Sequence, residues 1–149
     1  MSTQPVAAQL RVAFATSDGE SVNQHFGSTR GLSIYEVGPA TSNLVERADF
    51  EKTLKDGNED KLREKMERLK QCDVVYCGQV GQSAARQLLA LNVQPLAVRQ
   101  GPAISQLIER LQEQLRGESQ EPWLDRVLKQ RSKDEAPDRE LSLDEDWNE

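Results

Sequence analysis

Residues 16–35 read TSDGESVNQHFGSTRGLSIY and hold His25, the sole histidine among 149 residues. A polar, glycine-bearing loop presents this imidazole beside Phe26 and Gly27, between two segments that read as strands. An imidazole on such a loop suits a ligand for a metal or an anion. Capping and core packing are the other roles open to it. Asp18 on the same loop is either a turn former or the group that orients His25. Arg30 would add a charge-assisted contact to an anionic ligand, or serve only as a solvated charge.

A second group stands at residues 77–81, Cys-Gly-Gln-Val-Gly. Gly78–Gly81 forms a turn that opens a helix, where free backbone N–H groups and the helix dipole favour an anion. It lacks the Gly-Lys-Ser/Thr end of a phosphate-binding loop and does not match G-x-G-x-x-G. The plainer reading of Gly78 and Gly81 is a tight strand-to-helix connection. Cys77 is either a small buried hydrophobe or a thiolate. If the strands ending at Thr16 and Cys77 are parallel neighbours, His25 and Cys77 share one edge of the sheet. One imidazole and one thiolate facing a common crevice could hold a soft metal or an iron–sulfur cluster. Cys72 reads as structural, because its C-x4-C spacing with Cys77 is not a zinc pattern. No Ser-His-Asp set, carboxylate pair or metalloprotease helix is evident, so the chain is not expected to be an enzyme.

The elements that must position these groups follow from hydropathy. Leu10–Thr16 and Leu32–Val37 alternate as strands. Leu44–Phe50 is a weaker third, joined to the second through a turn at Pro39–Asn43. After a break at Lys55–Asn58, Glu59–Gln71 is a helix with Leu62, Met66 and Leu69 on one face. Asp73–Cys77 suits a strand buried on both faces. Ser83–Leu91 is a helix with Ala84, Leu88 and Leu91 inward, and Asn92 suits its C-terminal cap. Pro95 makes Val93–Val98 an edge strand. Pro102 takes the position of a first helical residue, and Ile104, Leu107, Ile108, Leu111 and Leu115 form an apolar stripe. The order β-β-β-α-β-α-β-α implies a five-stranded mixed α/β sheet with helices on its faces.

Composition bounds the function. The net charge is −6. Residues 117–149 carry eleven acids and five bases, whereas residues 1–116 carry fourteen of each, so the acidity belongs to the tail. A neutral body without a basic stripe argues against nucleic acid as a partner. No apolar run approaches the roughly 20 residues that span a bilayer, so no membrane partner is expected. Two cysteines are too few for a disulfide scaffold, and no secretory signal precedes the first strand, so a reduced, cytoplasmic setting is expected. The expected organisation is an N-terminal extension at 1–9, a binding domain at 10–116 and an acidic tail at 117–149. Within the tail, 121–131 reads as a short amphipathic helix that either docks on the domain or binds a partner. Ser132–Glu149 reads as disordered, with Leu141, Leu143 and Trp147 as its apolar points.

The segments RVAFATSDGESVNQHFGSTRGLSIYEV and CDVVYCGQVGQSAARQLLALNVQPL resemble the two blocks of the dinitrogenase iron–molybdenum cofactor biosynthesis family. EPWLDRVL resembles a P-W-L segment that follows the domain in nitrogenase members. The likeness covers about residues 10–131. It implies a ribonuclease H-like α/β fold without nuclease chemistry. It further implies transient binding of an iron–sulfur precursor of the iron–molybdenum cofactor by a carrier, expected to be a monomer, that passes it from a donor to a scaffold among the nitrogenase cofactor assembly proteins. The family's H-F-G histidine, a cluster contact, maps onto His25. The rival readings are a protein–protein regulator that binds no cluster and an enzyme acting on a small anion in the same crevice.

Overall fold

A computed structural model describes residues 9–50, 58–117 and 121–135, with the backbone alone for 58–62 and 131–135. The N-terminal extension, most of the break at Lys55–Asn58 and the acidic end beyond residue 135 lie outside the described residues.

Five strands form one sheet in the order β3-β2-β1-β4-β5. They are β1 (Leu10–Ala15), β2 (Gly31–Val37), β3 (Ser42–Asp49), β4 (Val74–Cys77) and β5 (Gln94–Ala97). The hairpin β2–β3 and the pair β1–β2 are antiparallel, while β4 lies parallel to both β1 and β5. Phe14 stands opposite Tyr76, so the strands that lead to Thr16 and Cys77 finish at the same edge, as the crossover through α1 requires. β5 is an edge strand, as Pro95 demands.

Helices cover both faces: α1 (Asn58–Leu69), α2 (Gln82–Ala90), α3 (Ile104–Leu115) and α4 (Pro122–Glu135). Strand alternation divides the core. Ala13, Ala15, Ile34, Val75 and Cys77 point to one side and pack with Met66 and Leu69 of α1 and Leu88 of α2. Val12, Phe14, Val74 and Tyr76 point to the other and meet Ile104, Leu107, Ile108 and Leu111 of α3 together with Leu124 and Val127 of α4. The Phe14 ring stacks on Tyr76 at 5.3 Å between centroids and meets Tyr35 edge-on at 5.6 Å. α4 therefore docks on the domain, with Leu124 sealed from solvent.

Asn92 caps α2 as expected. At φ 66° it takes the left-handed conformation, and the N–H groups of Asn92 and Val93 close on the carbonyls of Leu89 and Leu88, both at 2.9 Å, a Schellman closure. One expectation needs correction. α3 begins at Ile104 with Ala103 as its cap, so Pro102 precedes the helix; its carbonyl instead accepts the Val22 N–H at 3.0 Å. In β3, Leu44 and Val45 are exposed, because a bulge opposite Ile34 and Tyr35 inserts one residue and breaks the period-two alternation.

Candidate functional site

The loop after β1 is built by its own polar side chains. The Thr16 hydroxyl donates to the Asp18 carboxylate at 3.0 Å and accepts the Gly19 N–H at 3.0 Å. Asp18 also accepts the N–H groups of Glu20 at 2.8 Å and Ser21 at 3.1 Å. These two backbone donors first, then the Thr16 hydroxyl, hold its carboxyl below the usual range. Asp18 is thus a turn former; its bonds go to the turn and none reaches His25. The far end of the loop closes where Thr16 N–H meets the Gly31 carbonyl at 3.1 Å.

In the middle, the chain runs alongside the end of β4. Gly78 N–H donates to Gln24 O and Phe26 N–H donates to Gln79 O, both at 2.8 Å, which pairs His25 with Gln79 in a parallel bridge. His25 itself is extended (φ −77°, ψ 147°) and caps a short 3-10 turn, Phe26–Ser28. Phe26 is buried in the first core, while His25 is exposed. Its imidazole makes no hydrogen bond or ion pair among the described residues, so the backbone alone aims it.

His25 and Gly78 line a cleft of about 460 Å³ together with Asn23, Gln79, Arg99 and Gln100. The segment carrying Arg99 arrives because Val98 N–H donates to Cys77 O at 2.8 Å, prolonging β5 past its last regular pair. Gln100 and Gly101 then turn through left-handed backbone, φ 70° and 55°, a conformation a glutamine holds only under strain. The described lining carries one guanidinium, one imidazole, three carboxamides and no carboxylate. Arg99 makes no ion pair among the described residues. A larger groove of about 610 Å³ beside α3 bears Glu20 and Glu109 and no cation, so it disfavours anions. The cleft beside His25 favours them.

Three expected site residues stand elsewhere. Cys77 is fully buried in the first core; its thiol lies 3.8 Å from the Leu96 carbonyl, and desolvation pushes it up to about 11. Strand parity sends its side chain beneath α2 with Val75, so the crevice shared by thiol and imidazole is not formed in this arrangement. Arg30 is exposed and outside the lining; its backbone N–H is held by the Gln24 carboxamide at 3.0 Å. Gly81 caps α2 and does not reach the cleft. Cys72 is buried, and desolvation raises it to about 12, in keeping with a structural role. Among the described residues, no three His, Cys, Asp or Glu side chains gather to hold a metal ion.

Two residues escaped the sequence reading. Arg99 follows an edge strand, and nothing local ties it to His25; the link is the β4–β5 pairing. Lys65 is only 2 % exposed and donates to the carbonyls of Gly27 at 2.7 Å and Phe26 at 3.4 Å. Its position on the apolar stripe of α1, between Leu62 and Leu69, was the available signal.

Fold and site together define an α/β domain with a cleft, free of carboxylates in its described lining, at the carboxyl edge of its parallel strands. The profile described as dinitrogenase iron-molybdenum cofactor matches residues 8–114, and the chain belongs to that family, as the H-F-G segment suggested. It is 49% identical to Protein NifX of Azotobacter vinelandii over 119 residues, covering 80% of this chain and 75% of that one. It is 36% identical to Protein NifX of Herbaspirillum seropedicae over 120 residues, 80% of this chain and 82% of that one. A 104-residue stretch is 33% identical to the FeMo cofactor biosynthesis protein NifB of Frankia alni, covering 65% of this chain and 20% of that one. Among solved structures, the crystal structure of PH0822 superposes with a TM-score of 0.54 at 20% identity, covering 76% of this chain and 97% of that one, a likeness of fold.

Proposed function

We propose that this protein works in assembly of the nitrogenase iron–molybdenum cofactor as a carrier, holding an iron–sulfur precursor cluster at the His25 cleft and releasing it to the next assembly protein. The observation that carries this reading is an exposed imidazole, unengaged by any described side chain, on the rim of a cleft that has Arg99 and no described carboxylate. A precursor cluster is anionic and must be exchangeable. One imidazole assisted by a guanidinium and the Gly78 backbone holds such a cargo without the permanence of four thiolates. Imidazole binds iron only when unprotonated, so loading weakens in acid.

Residues 10–116 are the carrier domain in this reading, acting as a monomer in the cytoplasm, and NifB-like donors and a scaffold acceptor are its partners. The ribonuclease H-like designation is supported by the strand order, with β2 alone running against the other four. No helix among the described residues is long and apolar enough to cross a membrane.

The test is anaerobic reconstitution with ferrous iron and sulfide, then gel filtration and iron analysis. Iron and brown colour co-eluting with the protein are expected. Protein that elutes without iron overturns the carrier reading in favour of a regulator without a cluster. Turnover of a small anion would point to an enzyme instead.

A further inference from the structure

Lys65 stands on α1, on the same stripe as Met66 and Leu69, and is as deeply buried as they are. A methionine or leucine would fill that place without the cost of taking an ammonium out of water. The ammonium reaches two carbonyls, those of Gly27 at 2.7 Å and Phe26 at 3.4 Å, and lies 5.7 Å from the centre of the Phe50 ring. Both carbonyls belong to the two residues directly after His25. On the opposite flank, Phe26 N–H is held by Gln79 O at 2.8 Å. The peptide carrying the imidazole is thus gripped at its N–H by the sheet and at its following carbonyls by α1. Since the imidazole has no described side-chain partner, this grip is what fixes its direction.

We infer that Lys65 is a positioning residue for the His25 site: its buried ammonium clamps the Phe26 and Gly27 carbonyls and so presents the imidazole to the cleft. Charged donors make the stronger hydrogen bonds, and a rigid supporting group separates a usable ligand from a loose one. The inference rests on His25 as the cargo contact. It adds that the ligand strength of the site is set from the opposite side of the loop, by a residue that never touches the cargo.

The sole histidine makes the experiment clean, because its imidazole gives one set of 1H–15N NMR signals. Lys65→Met, Lys65→Arg and a core control, Leu69→Ala on the same helix, are compared with wild type. Lys65→Met is expected to shift or broaden the imidazole signals and to cut iron retained after anaerobic reconstitution with ferrous iron and sulfide about fivefold or more. Lys65→Arg, whose guanidinium can reach both carbonyls, is expected to restore at least half of the retention. Leu69→Ala is expected to lower the melting temperature and leave the imidazole signals in place. Wild-type signals and retention in Lys65→Met overturn the proposal, as does an equal disturbance in Leu69→Ala. If Lys65→Met does not fold, Lys65→Gln replaces it under the same criteria. Wild type without iron refutes the carrier reading, while the imidazole signals still decide whether Lys65 positions His25.

Discussion

The amide of Gly78 donates to the carbonyl of Gln24 across 2.8 Å, and that bond splices the His25 loop onto the end of β4. A β-carbon at Gly78 would stand 3.3 Å from the same carbonyl and 3.7 Å from His25 Cδ2. The loop is therefore joined to the sheet by an isolated parallel bridge between His25 and Gln79.

His25→Ala is expected to leave the fold intact and reduce iron retention about tenfold, near 1.4 kcal/mol, the scale of one lost contact. Arg99→Ala should weaken retention more than Arg30→Ala, because only Arg99 lines the cleft. Iron co-eluting with each variant on anaerobic gel filtration decides. Equal retention in His25→Ala and wild type removes His25 from the site.

The two thiols give a pH prediction. Burial raises Cys77 from 9.0 to about 11 and Cys72 from 9.0 to about 12. Above pH 9 the unfolded chain sheds these protons while the folded protein keeps them, which favours unfolding. The stability they contribute is whole below that point and is lost as pH climbs through the folded values. Urea midpoints should therefore fall more steeply between about pH 9 and 11 in wild type than in a Cys72→Ala/Cys77→Ala variant. In the native protein at neutral pH, both thiols should react with Ellman's reagent far more slowly than after denaturation. Fast native reaction of one thiol would mean that Cys77 opens to the cleft after all.

Leu124→Ala tests the docking of α4. The side chain is sealed from solvent in the second core, so truncation should cost about 2–5 kcal/mol, seen as a lower urea midpoint. A change below about 0.5 kcal/mol, the level of a surface substitution, would show that α4 does not pack there in solution.

Gly31→Ala should destabilise by about 1–3 kcal/mol. An added β-carbon would meet the Arg47 guanidinium and lie 2.9 Å from the Thr16 carbonyl, and the latter is backbone that cannot step aside. Because Thr16 and Gly31 close the base of the His25 loop, the imidazole NMR signals should shift as well. A variant with wild-type stability and spectrum would contradict this closure.

Most of the architecture was legible because it rests on patterns with a physical cause. The parallel direction of β4 and β5 follows from the helical crossover between them, Asn92 announces its left-handed cap, and Pro95 announces an edge. His25 was legible as an exposed loop residue because polar turn formers surround it. Residue type made Cys77 legible as a small buried hydrophobe, while the thiolate alternative rested on a shared sheet edge; the side chain's face is set by parity, and counting from Val75 in steps of two leads into the core. Arg99 lies 74 positions from His25, and only the extension of β5 brings them into one cleft. Lys65 was not legible, because hydropathy assigns a charge to the outward side of an amphipathic helix. Its methylenes can pack while the ammonium finds carbonyls, which hydropathy alone does not register.

The bulge in β3 has a second effect, on the edge of the sheet. β3 is a border of the sheet, and the extra residue near Val45 throws the two halves of its outer N–H and carbonyl row out of step. An incoming strand could match one half and would miss the other. Exposed Leu44 and Val45 therefore sit on a margin that resists zipping to a second copy.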